Sequence, residues 1–183
     1  MRELVFKNLK VKIILPIFLA AGVIYAVMLT ITIPRVMNYT GGMKIPDMMP
    51  TGYNAEYIST LLHTMGEQGR HYYLRTQIPL DFVYPLLFAV SLCLLLAFVI
   101  HKLGRMSGPL FYISFIPLLA GLSDYFENVG VITMIKKYPE IPESLVKITN
   151  VFSIIKSSST TIAFTLLIIL LFIWLIRKIQ KSL

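Results

Sequence analysis

Two carboxylates interrupt the apolar stretch LAGLSDYFENVGVITMI, which covers residues 119–135. Asp124, Glu127 and Asn128 stand at i, i+3 and i+4, a spacing that puts all three on one face of a helix. Charged residues are costly in lipid, so they usually face the interior of a helix bundle and mark functional sites. A closely spaced acid pair can also share a proton and act as a general acid or base. This helix face is therefore a candidate site.

Other ionisable residues lie in apolar blocks at a similar depth. Asp81 is near the start of the second block, and Lys156 is in the fourth. Counted from the end that carries the basic loops, Asp124 lies about 22 Å and Glu127 about 27 Å along the third helix. Asp81 and Lys156 lie about 30 Å along theirs by the same count. We therefore predict one polar pocket in the outer half of the bundle, where three acids face one lysine.

The predicted pocket also has a roof. The segment GRHYYLRTQ, residues 69–77, precedes the second block, and its Arg70 and Arg75 could neutralise the acids. The predicted ligand-binding residues are Arg70, Tyr73, Asp81, Tyr84, Asp124, Glu127, Asn128 and Lys156. The candidates for a catalytic role are Asp81, Asp124, Glu127 and Lys156. The alternative interpretation is a buried ionic network that only sets the register of the helices.

A metal centre is a weaker interpretation of the same residues. Asp81, Asp124 and Glu127 offer the oxygen ligands that magnesium or calcium prefers. However, the sequence has no HExxH or other recognised ligand spacing, and Lys156 would repel a cation. It also lacks a P-loop, a GxSxG elbow, a CxxC pair and a dinucleotide fingerprint. We therefore expect no metal and no cofactor.

The composition is that of a membrane protein. Of the 183 residues, 56% are hydrophobic and 14% are charged, whereas soluble domains carry about 25% charged residues. The formal net charge of +8 comes from Lys and Arg beside apolar blocks, where they orient helices and meet anionic head groups. We therefore expect membrane lipids as partners and no nucleic acid. The single cysteine, Cys93, excludes an intramolecular disulfide.

Four apolar blocks predict an all-α integral membrane protein, a single membrane domain built as a bundle of four transmembrane helices. The blocks cover residues 11–33, 80–100, 109–135 and 149–176. Each is long enough to cross about 30 Å of hydrocarbon as a helix. The extracytoplasmic loop, residues 34–79, is predicted to form two short amphipathic helices through AEYISTLLHTM and EQGRHYYLRTQ. Pro79 is expected to end the second helix or to bend it into the second span.

Basic residues predict the orientation of the bundle. They lie before or at the start of the first block, between the second and third blocks, and after the fourth: Arg2, Lys7, Lys10, Lys12, Lys102, Arg105, Arg177, Lys178 and Lys181. Four spans put all of them on one side, which places both termini in the cytoplasm, although Lys136 and Lys137 count against it. The first block is too long for a signal-peptide core and is expected to remain as an anchor. A prokaryotic plasma membrane is the expected location.

The layout resembles that of the four-helix sterol-isomerase and sigma-2-receptor-like proteins. The likeness rests on four spans, a long first external loop, cytoplasmic termini and acids in the membrane. In addition, LDFVYPLLF, residues 80–88, resembles the acidic start of their second span. The predicted pocket and its aromatic neighbours indicate that the protein binds a small amphiphilic or lipid-like ligand and leave open whether it also converts it.

Two other functions stay open. A proton-coupled transporter or a channel subunit would use acids and a lysine inside its spans. Against it, the cytoplasmic half of each span is almost purely apolar, and no inverted repeat is visible. A structural or assembly partner would use these charges to pair with another membrane subunit, or as a purely architectural ion network. The sequence leaves a homo-oligomer open and does not decide whether the protein is an enzyme.

Overall fold

The computed structural model describes residues 10–104 and 109–180, which form helices and turns with no strand in these ranges. The helices are α1 (Val11–Tyr39), α2 (Ala55–Tyr72), α3 (Ile78–Lys102), α4 (Leu110–Ile113), α5 (Ile116–Lys137) and α6 (Glu143–Gln180), and a 3-10 turn spans Pro46–Met48. Of the basic residues used for the orientation, Arg2, Lys7, Arg105 and Lys181 lie outside the described residues.

Three helices in the described part of the chain are long and apolar enough to cross a membrane. They are α1, the continuous helix Ala55–Lys102 that joins α2 to α3, and α6. The prediction of an all-helical protein with helices long and apolar enough to span a membrane is confirmed at this level. α5 is not one of the three, although it is 22 residues long. Its acids and its two terminal lysines make it more polar than the others.

Helix boundaries depart from the sequence expectation at two prolines. The first helix was expected to end near Ile33, yet α1 continues to Tyr39. At Pro79 a helix end or a bend into the second span was expected, and the helix does not end there, because α2 runs into α3. In both places a π-helical turn, Met28–Thr32 or Tyr73–Gln77, ends two residues before the proline. Each proline then occupies the first turn of the next segment, where a missing N–H group is tolerated. The two π-turns contact each other, and the Thr32 hydroxyl donates to the Gln77 side chain.

The two short helices expected in the outer loop are one helix with a kink. Gly66 has φ 63° and ψ −179°, which is outside the helical region and is readily adopted only by glycine. This residue separates two segments of α2, and the second segment continues into α3. Asn54 begins the helix, because its side chain accepts a hydrogen bond from the Tyr57 N–H at 2.8 Å.

α3 is the central helix of the bundle. It packs against α1 on one side and α5 on another, while α6 packs mainly on α5 and also contacts α3. α5 approaches α3 closely at Gly121, where an added Cβ would lie 2.7 Å from the Ala89 Cβ and 3.1 Å from the Pro85 carbonyl oxygen. Small residues at such crossings are typical of helices that pack in membranes.

Two apolar clusters divide the bundle along its length. The lower cluster includes Ile14, Leu92, Ile100, Phe111 and Leu167. The upper cluster includes Val36, Ile58, Leu61, Val131 and Val146. On α3, α5 and α6, buried polar residues fall between the parts that belong to each cluster. This polar layer contains Asp81, Ser123, Asp124, Glu127, Asn128, Ser153 and Ser159. The fold therefore encloses polar side chains between two apolar regions.

Candidate functional site

Lys156 is the centre of the polar layer. Its Nζ lies 3.2 Å from Asp47 Oδ1 and 3.2 Å from Asp124 Oδ1, and it also pairs with Glu127 Oε2. The lysine side chain is 15% exposed, and its three acidic partners are between 0% and 9% exposed. One cation is thus shared by acids from α5 and from the segment between α1 and α2.

Asp47 is the member of this cluster that the sequence interpretation missed. It lies in the 3-10 turn, and its Oδ2 accepts a hydrogen bond from the Tyr73 hydroxyl at 3.2 Å. The only local signal was an acid among turn-forming prolines. Its partner Lys156 is 109 residues away in the chain, so no spacing rule connects the two.

The segment that carries Asp47 is attached to α6 at further points. The Tyr53 N–H donates to Asn150 Oδ1 at 2.8 Å, and the Tyr53 hydroxyl lies 3.1 Å from the Ser153 hydroxyl. Burial, helped by the nearby charge of Glu127, raises the pKa of the Tyr53 phenol well above its ordinary value. Tyr53 therefore keeps its proton at physiological pH. Residues 45–53 form the roof of the site.

Glu127 is completely buried and fully engaged. Its Oε1 accepts a hydrogen bond from the Ser153 hydroxyl at 2.5 Å, and its other carboxylate oxygen pairs with Lys156. A serine hydroxyl has one hydrogen, so when Ser153 donates to Glu127 it accepts from Tyr53. This arrangement holds Glu127 in place and gives it a structural part in the site.

Asp81 is in a different situation, because one of its oxygens has no partner. It is 2% exposed, and no N–H or hydroxyl group of the described residues donates to its Oδ2, while a carboxylate oxygen of Asp47 lies within 4.8 Å of an Asp81 oxygen. Its backbone carbonyl accepts a hydrogen bond from Asn128 Nδ2 at 2.9 Å, which ties α5 to α3. A buried acceptor without a donor is costly, so Oδ2 marks a place where a hydrogen-bond donor is needed.

A cavity of about 260 Å³ lies beside these acids. Its polar end is formed by Asp47, Asp81, Asp124 and Lys156, with Ser157, Thr160 and Thr161 from α6 beside them. Its less polar wall is formed by Tyr25, Met28, Ile33, Tyr84, Phe88, Ala120 and Gly121. The Tyr84 ring stacks on Tyr25 and on Phe88, with centroids 5.2 Å and 5.3 Å apart. The cavity therefore combines a charged end with an aromatic wall.

The first and last helices both line the cavity. α1 packs mainly on α3 and α6 mainly on α5, so the two helices face each other across the cavity. Tyr25 on α1 is 43% exposed, and Thr161 on α6 is also exposed. Exposed lining residues therefore lie on both of these helices, beside exposed apolar side chains.

The charges of the site do not balance within the described residues. Four carboxylates, from Asp47, Asp81, Asp124 and Glu127, surround one ammonium group. Such a site favours a bound proton, a cation or a ligand that donates hydrogen bonds over an anionic ligand.

A metal ion fits this site poorly. Oxygens of Asp47, Asp81 and Asp124 lie within 4.8 Å of one another, as the ligands of a hard cation would. However, Lys156 Nζ already contacts two of these aspartates, so the oxygens that a metal ion would need are already engaged. The expectation of no metal stays a prediction.

The predicted site residues separate into two groups. Asp81, Asp124, Glu127, Asn128 and Lys156 come together in the polar layer, Tyr73 reaches it through Asp47, and Tyr84 lines the cavity. Arg70 does not join them. Its Nη1 donates to the Leu62 carbonyl at 2.7 Å, and its guanidinium carbon lies 4.5 Å from the centroid of the Tyr138 ring.

The expected roof is also different from the observed one. Arg75 is exposed and lines a separate surface cavity with Glu67 and His71, so it does not neutralise the acids. Of GRHYYLRTQ, only Tyr73 contacts a carboxylate of the site. The other residues of this stretch lie on faces of the helix that do not point toward the site.

Comparison with protein-family models, with curated proteins and with solved structures finds no match for this chain.

Proposed function

We propose that this chain is an integral membrane protein with four spanning helices whose lateral cavity binds a small amphiphile by its head group. The spans are α1, α3, α5 and α6. α5 belongs with them because its outward face is apolar: Leu118, Leu122, Phe126 and Val129 are each at least 40% exposed. Its acids, which make the helix polar on average, are buried. Lipid is the solvent that suits such a surface.

The proposed orientation keeps both termini in the cytoplasm of a prokaryotic cell. It is supported by Lys102, Arg177 and Lys178, which lie at one end of the bundle, and by Lys10 and Lys12 at the start of α1. Single cysteines introduced at Lys12 and Lys44, in a Cys93→Ser background, test this orientation. A membrane-impermeant maleimide should label intact cells at position 44 and not at position 12, and the reverse pattern would contradict it.

The observation that carries the binding proposal is the unpartnered Oδ2 of Asp81, buried beside the cavity. A ligand that donates a hydrogen bond at this point would satisfy it. The excess of carboxylates over lysine favours a neutral or cationic head group and disfavours an anionic one. The aromatic wall and the lateral opening accommodate an apolar chain that enters from the lipid.

The size of the cavity limits what it can enclose. Its volume of about 260 Å³ is close to the lower end of the roughly 300–1,000 Å³ that is usual for ligand pockets. The cavity therefore holds the head group of the ligand and the first part of its apolar tail. The rest of the tail lies outside the cavity, between α1 and α6, in contact with lipid.

A pair of matched probes tests this proposal. Decylamine and decanoic acid have chains of the same length and opposite head-group charge. The purified protein in a neutral detergent should be stabilised by decylamine and not by decanoate, and Asp81→Asn should remove the stabilisation. A ligand at 100 times its Kd stabilises by about 2.7 kcal/mol, which corresponds to roughly 5–11 °C in Tm. Mass spectrometry of the same samples detects any conversion of the ligand.

Lys147→Gln is the matched control, because Lys147 pairs with Glu143 on the exposed surface of α6. It should respond to decylamine as the unchanged protein does. Equal shifts with both probes, or a full decylamine shift in the Asp81→Asn variant, would show that the probes only partition into the micelle.

The other two functions receive less support from the fold. A conduction path must continue through the lower half of the bundle, where the lower cluster packs around the buried Leu92, Leu96 and Ile100. A charge kept for another subunit should lack a partner, whereas Lys156 has three within its own chain.

A further inference from the structure

A groove with three cations lies at the end of the bundle opposite the α2 end. It lies between the last turns of α3 and α6, has a volume of about 170 Å³ and is lined by Lys102, Leu103, Trp174, Arg177 and Lys178. None of these lining residues is acidic. In the described part of the chain, none of the three cations forms a salt bridge. The groove therefore has positive charge that the described residues do not balance.

Aromatic rings lie beside two of these cations. Lys102 Nζ is 5.4 Å from the centroid of the Phe98 ring, and Lys178 Nζ is 5.6 Å from the centroid of the Trp174 ring. Cation–π contacts of this kind hold flexible side chains near one position. Tryptophan and the long basic side chains are also the residue types enriched where a membrane meets water.

The groove lies one bilayer thickness from the polar layer. Lys102 follows Asp81 by 21 residues on α3, and Arg177 follows Lys156 by 21 residues on α6. Both separations are about 31 Å along a helix, and the hydrocarbon core of a bilayer is about 30 Å thick. The distances along both helices therefore place the groove at one membrane surface when the polar layer lies near the opposite surface.

We propose that this groove binds the phosphate group of an anionic phospholipid. Arg177 can bind phosphate oxygens in a bidentate manner, and the two lysines add charge from both helices. The acyl chains would lie along exposed apolar side chains of α6, which are Ile169, Phe172, Ile173 and Ile176. Cations also stabilise the carbonyl ends of helices, but that role does not require them to converge from two helices on one groove. This inference rests on the proposed membrane insertion and is independent of the amphiphile cavity.

Soluble short-chain lipids test this assignment on the full chain. Dioctanoyl phosphatidylglycerol, dioctanoyl phosphatidylcholine and inorganic phosphate are titrated separately in neutral detergent at about 0.15 M salt, where charge interactions fade over roughly 8 Å. Trp174 is the only tryptophan of the chain and lines the groove, so its fluorescence reports binding directly. The anionic lipid should shift this fluorescence saturably, and phosphatidylcholine should not.

Two double variants with the same charge change separate a local site from a diffuse field. Each basic side chain near a lipid is worth roughly fivefold in binding, so Arg177→Gln with Lys178→Gln should weaken binding of the anionic lipid by roughly 25-fold. Lys10→Gln with Lys12→Gln removes two charges at the same end of the bundle, away from the groove. It should change the affinity less than roughly threefold, because screening limits charge effects at a distance.

Three results would overturn the proposal. They are an equal loss of affinity for the anionic lipid in both double variants, equal affinity for phosphatidylglycerol and phosphatidylcholine, and binding of inorganic phosphate as tight as that of phosphatidylglycerol. Asp81→Asn should leave lipid binding unchanged, so this test can fail while the amphiphile proposal stands, and the reverse also holds.

Discussion

Replacement of Lys156 by methionine tests whether the buried acids depend on this one cation. The change removes a charge that contacts three carboxylates and replaces it with an apolar side chain of similar length. Asp47, Asp124 and Glu127 would remain buried and would repel one another. The site would then contain only acidic groups, in surroundings that solvate their negative charge poorly, so they would have to bind protons or move.

The expected loss follows from the observed distances. Two unit charges 3.2 Å apart attract by about 5 kcal/mol at an effective dielectric constant of about 20. Desolvation offsets much of this gross attraction, and breaking a buried ion pair costs about 3–5 kcal/mol in practice. For a chain of this size that loss lowers Tm by roughly 6–20 °C. Asp124→Asn in addition to Lys156→Met should recover part of the loss, since one repulsive charge is removed.

Cys93 provides the assay. It is the only cysteine of the chain and is 5% exposed on α3, between Leu92 and Leu94 of the lower cluster, so a thiol-reactive dye labels it when the bundle opens. Lys147→Met on the same helix is the control, because Lys147 is 72% exposed and its loss should move Tm by less than roughly 2 °C. If Lys156→Met unfolds within 2 °C of the unchanged protein, or if the added Asp124→Asn deepens the loss, the acids are not balanced by this lysine.

Two further substitutions test how the site is held together. Gly121→Ala should separate α5 from α3 and cost about 1–3 kcal/mol, seen as a lower Tm in the Cys93 labelling assay. Gly22→Ala is its control, because it meets nothing within 4 Å and should not destabilise α1. Asn150→Ala removes the acceptor of the Tyr53 N–H and should speed proteolysis between residues 40 and 54. Asn38→Ala at an exposed position should not, and equal cleavage of both variants would mean that the roof does not depend on this hydrogen bond.

The depth of the polar residues could be predicted from the sequence because the rise of a helix is constant. Asp81, Asp124 and Lys156 fall in one layer once each helix is measured from the same end, and the structure places them around one cavity. The i, i+3, i+4 spacing also predicts that Glu127 and Asn128 share the inward face of α5 with Asp124, and all three are buried. Both relations follow from the geometry within each helix, namely its rise per residue and the spacing of side chains around its axis.

Other features of the site depend on contacts between distant parts of the chain. Asp47 reaches Lys156 from 109 residues away because residues 45–53 fold down onto α6. Arg70 has the charge that the acids need, yet its direction on α2 takes it to Leu62 and Tyr138. Pro79 has the local signal of a helix end, yet a π-turn before it lets the helix continue. Residue type and spacing carry no information on such choices.

The sequence by itself determines that this protein is built from long apolar helices with a few ionisable residues at one level. That follows because the length of an apolar block and the rise of a helix are local properties that contacts with distant parts of the chain do not change. Only the tertiary structure decides which acids share Lys156, that Asp81 keeps an oxygen without a donor, and that α1 and α6 both line the cavity. These features arise from side-chain direction and from the packing of segments far apart in the chain, and both are settled only when the whole bundle has assembled.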